Sequence, residues 1–132
     1  MYEEEFGFVR AFDWNADSTS LVFMQFDETL VPTYSMDIVG SNLYPFPYSF
    51  KYPKAGENNS VVGLHLYDIQ NKKLTKIKLG ENKPYYIPRI EFSPNKNKLM
   101  VQTINRHQNH LKLWSYDIHS LTGKLVLEEK EN

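Results

Sequence analysis

The sequence predicts an all-β fold: a partial β-propeller of consecutive four-stranded antiparallel blades, with a short helical turn at the N-terminus and a long inserted arm. Three observations predict it. Aromatic residues make up 14% of the 132 residues, and aromatics suit the half-buried surface of a pleated sheet. Apolar and polar residues alternate with period two in several short runs, and none sustains a helical period. The chain also repeats itself over a few tens of residues, as propeller blades do.

The elements follow in order. Tyr2 to Phe6 reads as a single helical turn. Phe8 to Phe12 and Leu21 to Phe26 flank Trp14-Asn15-Ala16-Asp17-Ser18-Thr19-Ser20, a stretch of turn-forming residues, and read as a hairpin. Val61 to Ile69 and Leu74 to Leu79 alternate around Gln70 to Lys73 as a second hairpin. Tyr85 to Phe92 and Leu99 to Ile104 flank Ser93 to Lys98 as a third. Leu111 to Ile118 and Lys124 to Leu127 form a fourth around a loop ending in Gly123. The charged end, Glu128 to Asn132, reads as disordered, and Asp68 and Asp117 read as closers of hairpin turns.

The repeat has two parts. Trp14 and Leu21 match Phe92 and Leu99, 78 residues on, while Tyr67-Asp68-Ile69 matches Tyr116-Asp117-Ile118, 49 residues on. The first unit therefore holds an insertion of roughly 29 residues, and blades of about 40–50 residues are the expected period. An ordinary β-sandwich with coincidentally similar turns is the alternative. On the propeller reading the chain is one fragment, residues 1–132, of about two blades, with 27–60 inserted as an arm. Pro32, Pro45, Pro47 and Pro53 lack backbone donors, so most of the arm is unsuited to a central strand. It nonetheless carries Tyr34, Met36, Tyr44, Phe46, Tyr48, Phe50 and Tyr52. Aromatics and Met favour interface cores, so the arm is expected to pack on a partner or cover a site; folding back on its own blade is the other outcome.

Composition narrows the function. A net charge of −1 leaves no electrostatic footprint for nucleic acid or an anionic membrane. No apolar run approaches the roughly 20 residues of a membrane-spanning helix, and no charged-then-apolar leader opens the sequence. The absence of cysteine removes disulfides, thiolate metal sites and cysteine nucleophiles. His107 and His110 have the spacing of a metal pair, but no carboxylate cluster accompanies them, so no metal and no cofactor are expected. Arg106, beside them, belongs either to a polar network or to an open channel.

The acidic triplet Glu3-Glu4-Glu5, running straight into Phe6, is the unusual feature. Like charges side by side repel, so the triplet is either a solvated turn or a site awaiting a cation. Its surroundings carry a resemblance. "YEEEFGFVRAFDWNAD", "FMQFDETLVP", "YSFKYPKAGENNSVVGLHLYD" and "YYIPRIEFSPNKNKLMVQTINRHQNHLKLWSYD", in that order and over nearly the whole chain, resemble the dipeptidyl peptidase IV family of the prolyl oligopeptidase superfamily, in its bacterial form.

The resemblance implies an internal slice of an eight-bladed propeller that caps a C-terminal α/β-hydrolase domain in a serine exopeptidase releasing X-Pro and X-Ala dipeptides. It implies that Glu4 and Glu5, as the two successive glutamates of the family's motif, bind the free amino terminus of a peptide substrate. It implies a homodimer to which an extended propeller arm contributes, here through Tyr34, Tyr44, Phe46 and Tyr48, and a periplasmic, extracellular or cell-envelope location for a bacterial parent. The chain departs from the family in lacking a Gly-x-Ser-x-Gly nucleophile elbow, so this stretch alone is expected to be inactive. A non-catalytic propeller interaction module is the alternative function.

Overall fold

A computed structural model describes residues 6–80, 85–94 and 97–131. It is all-β. The strands are β1 (Phe12–Trp14), β2 (Ser20–Asp27), β3 (Thr33–Ile38), β4 (Phe46–Lys51), β5 (Val61–Asp68), β6 (Lys73–Ile77), β7 (Tyr85–Phe92), β8 (Lys98–Asn105), β9 (His110–Asp117) and β10 (Gly123–Lys130). They form a four-stranded sheet in the order β1-β2-β5-β6, a second in the order β10-β9-β8-β7, and a two-stranded hairpin, β3-β4. Of the expected N-terminal helical turn only Phe6 is described, and it has helical backbone; the rest lies outside the described residues.

The two four-stranded sheets belong to one compact unit, and residues 26–61 form another. The sequence repeat is visible as repeated hydrogen bonding. Trp14 pairs with Leu21 and Phe92 with Leu99. Beyond each pair the turn closes alike: Asn15 N donates to Ser20 O at 3.1 Å, and Ser93 N to Lys98 O at 2.9 Å. Ile69 N donates to Thr19 O and Ile118 N to Asn97 O, both at 3.0 Å. Asp68 accepts from Asn71 N, and Asp117 from His119 N and Ser120 N. These amide bonds, led by Asn71 for Asp68 and by Ser120 for Asp117, hold both carboxyls below their usual range.

The core lies between the sheets' apolar faces and is led by Val22, Leu64, Ile87, Leu99 and Val101, each nearly or fully buried. Asp13 Oδ2 accepts from Phe92 N at 2.9 Å, so a side chain of β1 satisfies a backbone donor on the edge strand β7. Tyr116 reaches from β9 to donate to Lys78 O at 3.3 Å.

Two local expectations are corrected, and the arm is given its structure. The first strand is Phe12–Trp14, not Phe8 to Phe12, because the Asn15 side chain accepts Ser20 N at 2.8 Å and starts the turn after Trp14. The charged end is a strand to Lys130: Glu128 pairs with Lys112 and Lys130 with His110. The proline-rich arm forms a six-pair hairpin, Thr33–Ile38 against Phe46–Lys51. Pro47 is tolerated because both strands of a two-stranded sheet are edges, where a missing N–H breaks no ladder on the outer side.

Candidate functional site

The acidic triplet lies outside the described residues, so the site is defined by how the chain leaves it. Phe6 packs its ring 5.7 Å from that of Tyr86 on β7, tilted by 48°. Gly7 has φ +57°, and a Cβ there would stand 3.9 Å from Arg89 Nη2. Arg10 pairs with Asp13 at 3.1 Å, and Asp13 holds Phe92 N. Residues 6–13 thus run beside β7 in its own direction, meeting Tyr86, Arg89 and Phe92 in turn. The left-handed backbone at Gly7 costs little there and would strain most other residues.

β7 itself is irregular. Its pairing with β8 shifts between Tyr86 and Arg89, where Pro88 has no N–H to give. The shift leaves Arg89 exposed, with Nη1 donating to Pro88 O at 3.1 Å. At the start of β7, Tyr85 pairs with Asn105, where β8 ends. The turn that follows is organised by Asn105, whose Oδ1 accepts Asn109 N at 3.1 Å and His110 N at 3.0 Å. Arg106 and His107 ride on this turn, at the end of the second sheet from which residues 6–13 approach β7.

His110 Nε2 lies 2.7 Å from Glu128 Oε1, with Lys112 Nζ at 3.9 Å from the same oxygen. The His110 hydrogen bond, ahead of the nearby lysines, holds the Glu128 carboxyl below its usual range. Among the described residues no group of three or more His, Asp or Glu is placed to hold a metal ion.

The arm is a second candidate surface. Its register places Tyr34 opposite Phe50, Met36 opposite Tyr48 and Ile38 opposite Phe46. These six share one face, and Thr33, Ser35, Asp37, Pro47, Ser49 and Lys51 share the other. The apolar face is knitted by ring contacts, Tyr48–Phe50 at 5.4 Å and Tyr34–Phe50 at 5.8 Å, with Tyr52 6.0 Å from Phe50. Tyr34, Phe46 and Tyr48 are nevertheless exposed, and Tyr44, in the connection between the strands, is 76% exposed. The sequence marks these aromatics without assigning them to strands; their alternation, Tyr34-Met36-Ile38 and Phe46-Tyr48-Phe50, is the signal. The Asp13 clasp has no such signal, because an isolated Asp in a turn-rich stretch gives no cue.

Comparison with known proteins places this geometry. The family described as the dipeptidyl peptidase IV (DPP IV) N-terminal region matches residues 1–132. Probable dipeptidyl-aminopeptidase B of Phaeosphaeria nodorum is 31% identical over 98% of the chain, and that of Pyrenophora teres f. teres is 29% identical over the same share. The chain spans 16% of the length of each of these relatives. The crystal structure of Porphyromonas gingivalis dipeptidyl peptidase 4 superposes with a TM-score of 0.93 at 43% identity, over 99% of this chain and 19% of that one. A putative dipeptidyl aminopeptidase IV from Bacteroides ovatus, at 24% identity and a TM-score of 0.84, shares the fold.

Proposed function

Because the chain belongs to the dipeptidyl peptidase IV N-terminal-region family, we propose that it is the part of a serine dipeptidyl peptidase's propeller that recognises the substrate's amino terminus and gates access to the reactive serine. The observation that carries this reading is the likeness to Porphyromonas gingivalis dipeptidyl peptidase 4, with 43% identity over 99% of the chain. The parent releases X-Pro and X-Ala dipeptides, and its serine, acid and histidine reside in an α/β-hydrolase domain outside this stretch. The stretch alone, lacking a nucleophile elbow, hydrolyses nothing.

In this reading Glu4 and Glu5 hold the ammonium. An ammonium offers three donors and no acceptor, so two carboxylates converging on it satisfy it better than one. Each charge-assisted hydrogen bond contributes about 1.5–3 kcal/mol. In the empty site the carboxylates repel each other, and an arriving cation removes that repulsion, which favours a charged amine over a neutral amide. Fixing the amine sets the distance to the second peptide bond, which makes the enzyme an exopeptidase. The packing of Phe6 on Tyr86 and the turn at Gly7 support a defined exit from the triplet.

The parent acts as a homodimer in the periplasm, outside the cell or at the cell envelope, with the aromatic face of the arm in the dimer interface. The test is kinetic. Glu4→Gln and Glu5→Gln in the full-length parent keep shape and remove charge, and each lowers kcat/KM for free-amine dipeptide substrates by about 1.5–3 kcal/mol. Acetylating the substrate's amine costs the wild type a similar amount and the variants little more. Unchanged kcat/KM in both variants would sink this reading.

A further inference from the structure

Three adjacent carboxylates outweigh one ammonium. With Glu4 and Glu5 on the amine, the triplet Glu3-Glu4-Glu5 keeps an excess of negative charge, and like charges so close resist ionising together. A second cation beside the triplet would relieve them. Arg10 is taken by Asp13 at 3.1 Å. Arg89 Nη1 donates to Pro88 O at 3.1 Å, and its guanidinium stands beside Gly7, further along the chain. Arg106 stands by the start of β7.

The topology brings Arg106 to the end of the sheet where the chain leaves the triplet. Residues 6–13 run beside β7 in its own direction, from Phe6 at Tyr86 to Asp13 at Phe92. Phe6, the described residue nearest the triplet in sequence, therefore sits by the start of β7. That start faces the end of β8: Tyr86 pairs with Ile104 and Tyr85 with Asn105. Arg106 follows Asn105 and Glu5 precedes Phe6, each by one peptide unit of about 3.8 Å. The two are thus single steps away from groups that already meet.

The turn that carries Arg106 is fixed. Asn105 Oδ1 accepts Asn109 N and His110 N, Asn105 Nδ2 donates to Asn109 Oδ1 at 2.8 Å, and Asn105 O accepts Gln108 N at 3.0 Å. Gln108 takes φ +57° within it. Arg106 is half-buried on this turn, while His107, Gln108 and Asn109 are exposed. Arginine is seldom covered without a partner, and its planar fork needs a fixed base to aim from.

We propose that Arg106 is a positioning residue of the amino-terminus site: its guanidinium pairs with a carboxylate of the Glu3-Glu4-Glu5 triplet and so fixes the carboxylates that face the substrate's ammonium. This rests on the amine-site reading above. A guanidinium fork grips a carboxylate at two points and sets its orientation, which a point charge does not. The charges admit both cations, because three carboxylates against one guanidinium and one ammonium still leave the site negative. Arg106 therefore orders the site without turning the amine away.

The experiment uses the full-length parent and reads the ratio of kcat/KM for a free-amine dipeptide substrate to that for the same substrate acetylated on the amine. Arg106→Gln should lower the ratio by about tenfold or more, with kcat/KM for the acetylated substrate near wild type, which reports an intact fold and intact chemistry. Arg106→Lys keeps the charge, loses the fork and should fall between the two. Arg89→Gln, which removes a cation further along the chain, should stay within about threefold of wild type. Combining Arg106→Gln with Glu3→Gln, Glu4→Gln and Glu5→Gln in turn should give, for at least one glutamate, a loss smaller than the product of the separate losses. An unchanged or higher ratio in Arg106→Gln would overturn the proposal, as would independent losses with all three glutamates. If Arg106→Gln does not fold, Arg106→Lys decides: a lowered ratio upholds the proposal and an unchanged one overturns it. Should Glu4→Gln and Glu5→Gln lower the ratio while Arg106→Gln does not, this proposal falls and the amine-site reading stands; should neither glutamate matter, both fall.

Discussion

Gly123 lies directly opposite Tyr116 in the β9–β10 ladder, and a Cβ at Gly123 would stand 2.5 Å from Tyr116 Cε1. The ring that fills this space is 2% exposed and donates from its hydroxyl to Lys78 O, so it cannot swing aside without losing both. Gly123→Ala is therefore expected to destabilise the protein by about 1–3 kcal/mol, the usual cost of overpacking. Chemical denaturation of the parent checks this. Tyr116→Leu combined with Gly123→Ala should cost less than the two separate losses added together, because the two positions are in contact.

The Asp13 clasp makes a second prediction. Its side chain is 14% exposed, receives Phe92 N and faces Arg10. Asp13→Ala leaves a backbone donor unpaired and is expected to cost about 1.5–3 kcal/mol. Asp13→Asn keeps an acceptor and should cost less. A denaturation midpoint for Asp13→Ala equal to wild type would show that water replaces the carboxylate at no loss.

Much of this fold was legible because period-two alternation and turn chemistry act locally. Trp14 and Leu21, recognised as the counterparts of Phe92 and Leu99, are indeed the residue pairs nearest the two turns. The arm was less legible: prolines exclude central strands, and only pairing in space reveals that, among the described residues, β3 and β4 pair with each other alone. The charged tail looked disordered because its partners, His110 and Lys112, lie on another strand. For Glu4 and Glu5 the physics of three adjacent carboxylates fits a solvated turn as well as an ammonium site, and the proposal of an ammonium site rests on the likeness to a family.

His65 predicts a pH dependence. Burial first, and the Lys76 ammonium opposite it second, lower its pKa below the ordinary imidazole value of about 6.5. The folded protein therefore favours neutral imidazole, and the unfolded chain binds a proton first as pH falls. Stability from this group is fully present above about pH 6.5 and is lost as pH drops toward the lowered folded value. His65→Phe should flatten that part of the stability–pH curve, measured as Tm between about pH 7 and 5. An unchanged slope in the variant would assign the acid sensitivity elsewhere.

The arm predicts a change in association state without a change in fold. Its apolar residues share one face of a hairpin, and its polar residues, Ser35 and Ser49 hydrogen-bonded to each other among them, share the other. Tyr48 and Phe46 are exposed within the chain, so replacing them removes little internal packing. In a dimer they would be buried at about 25 cal/mol per Å² of apolar surface, offset by the cost of ordering both partners. A carboxylate there would lose its water on association. Tyr48→Glu in the parent should weaken self-association by about 2 kcal/mol or more, close to thirtyfold in Kd. Ser49→Glu, on the polar face, should change it little. Sedimentation over a range of concentrations reads both. Equal dimer stability in wild type and Tyr48→Glu would remove the aromatic face from the interface, and a larger effect from Ser49→Glu would place the contact on the opposite side of the hairpin.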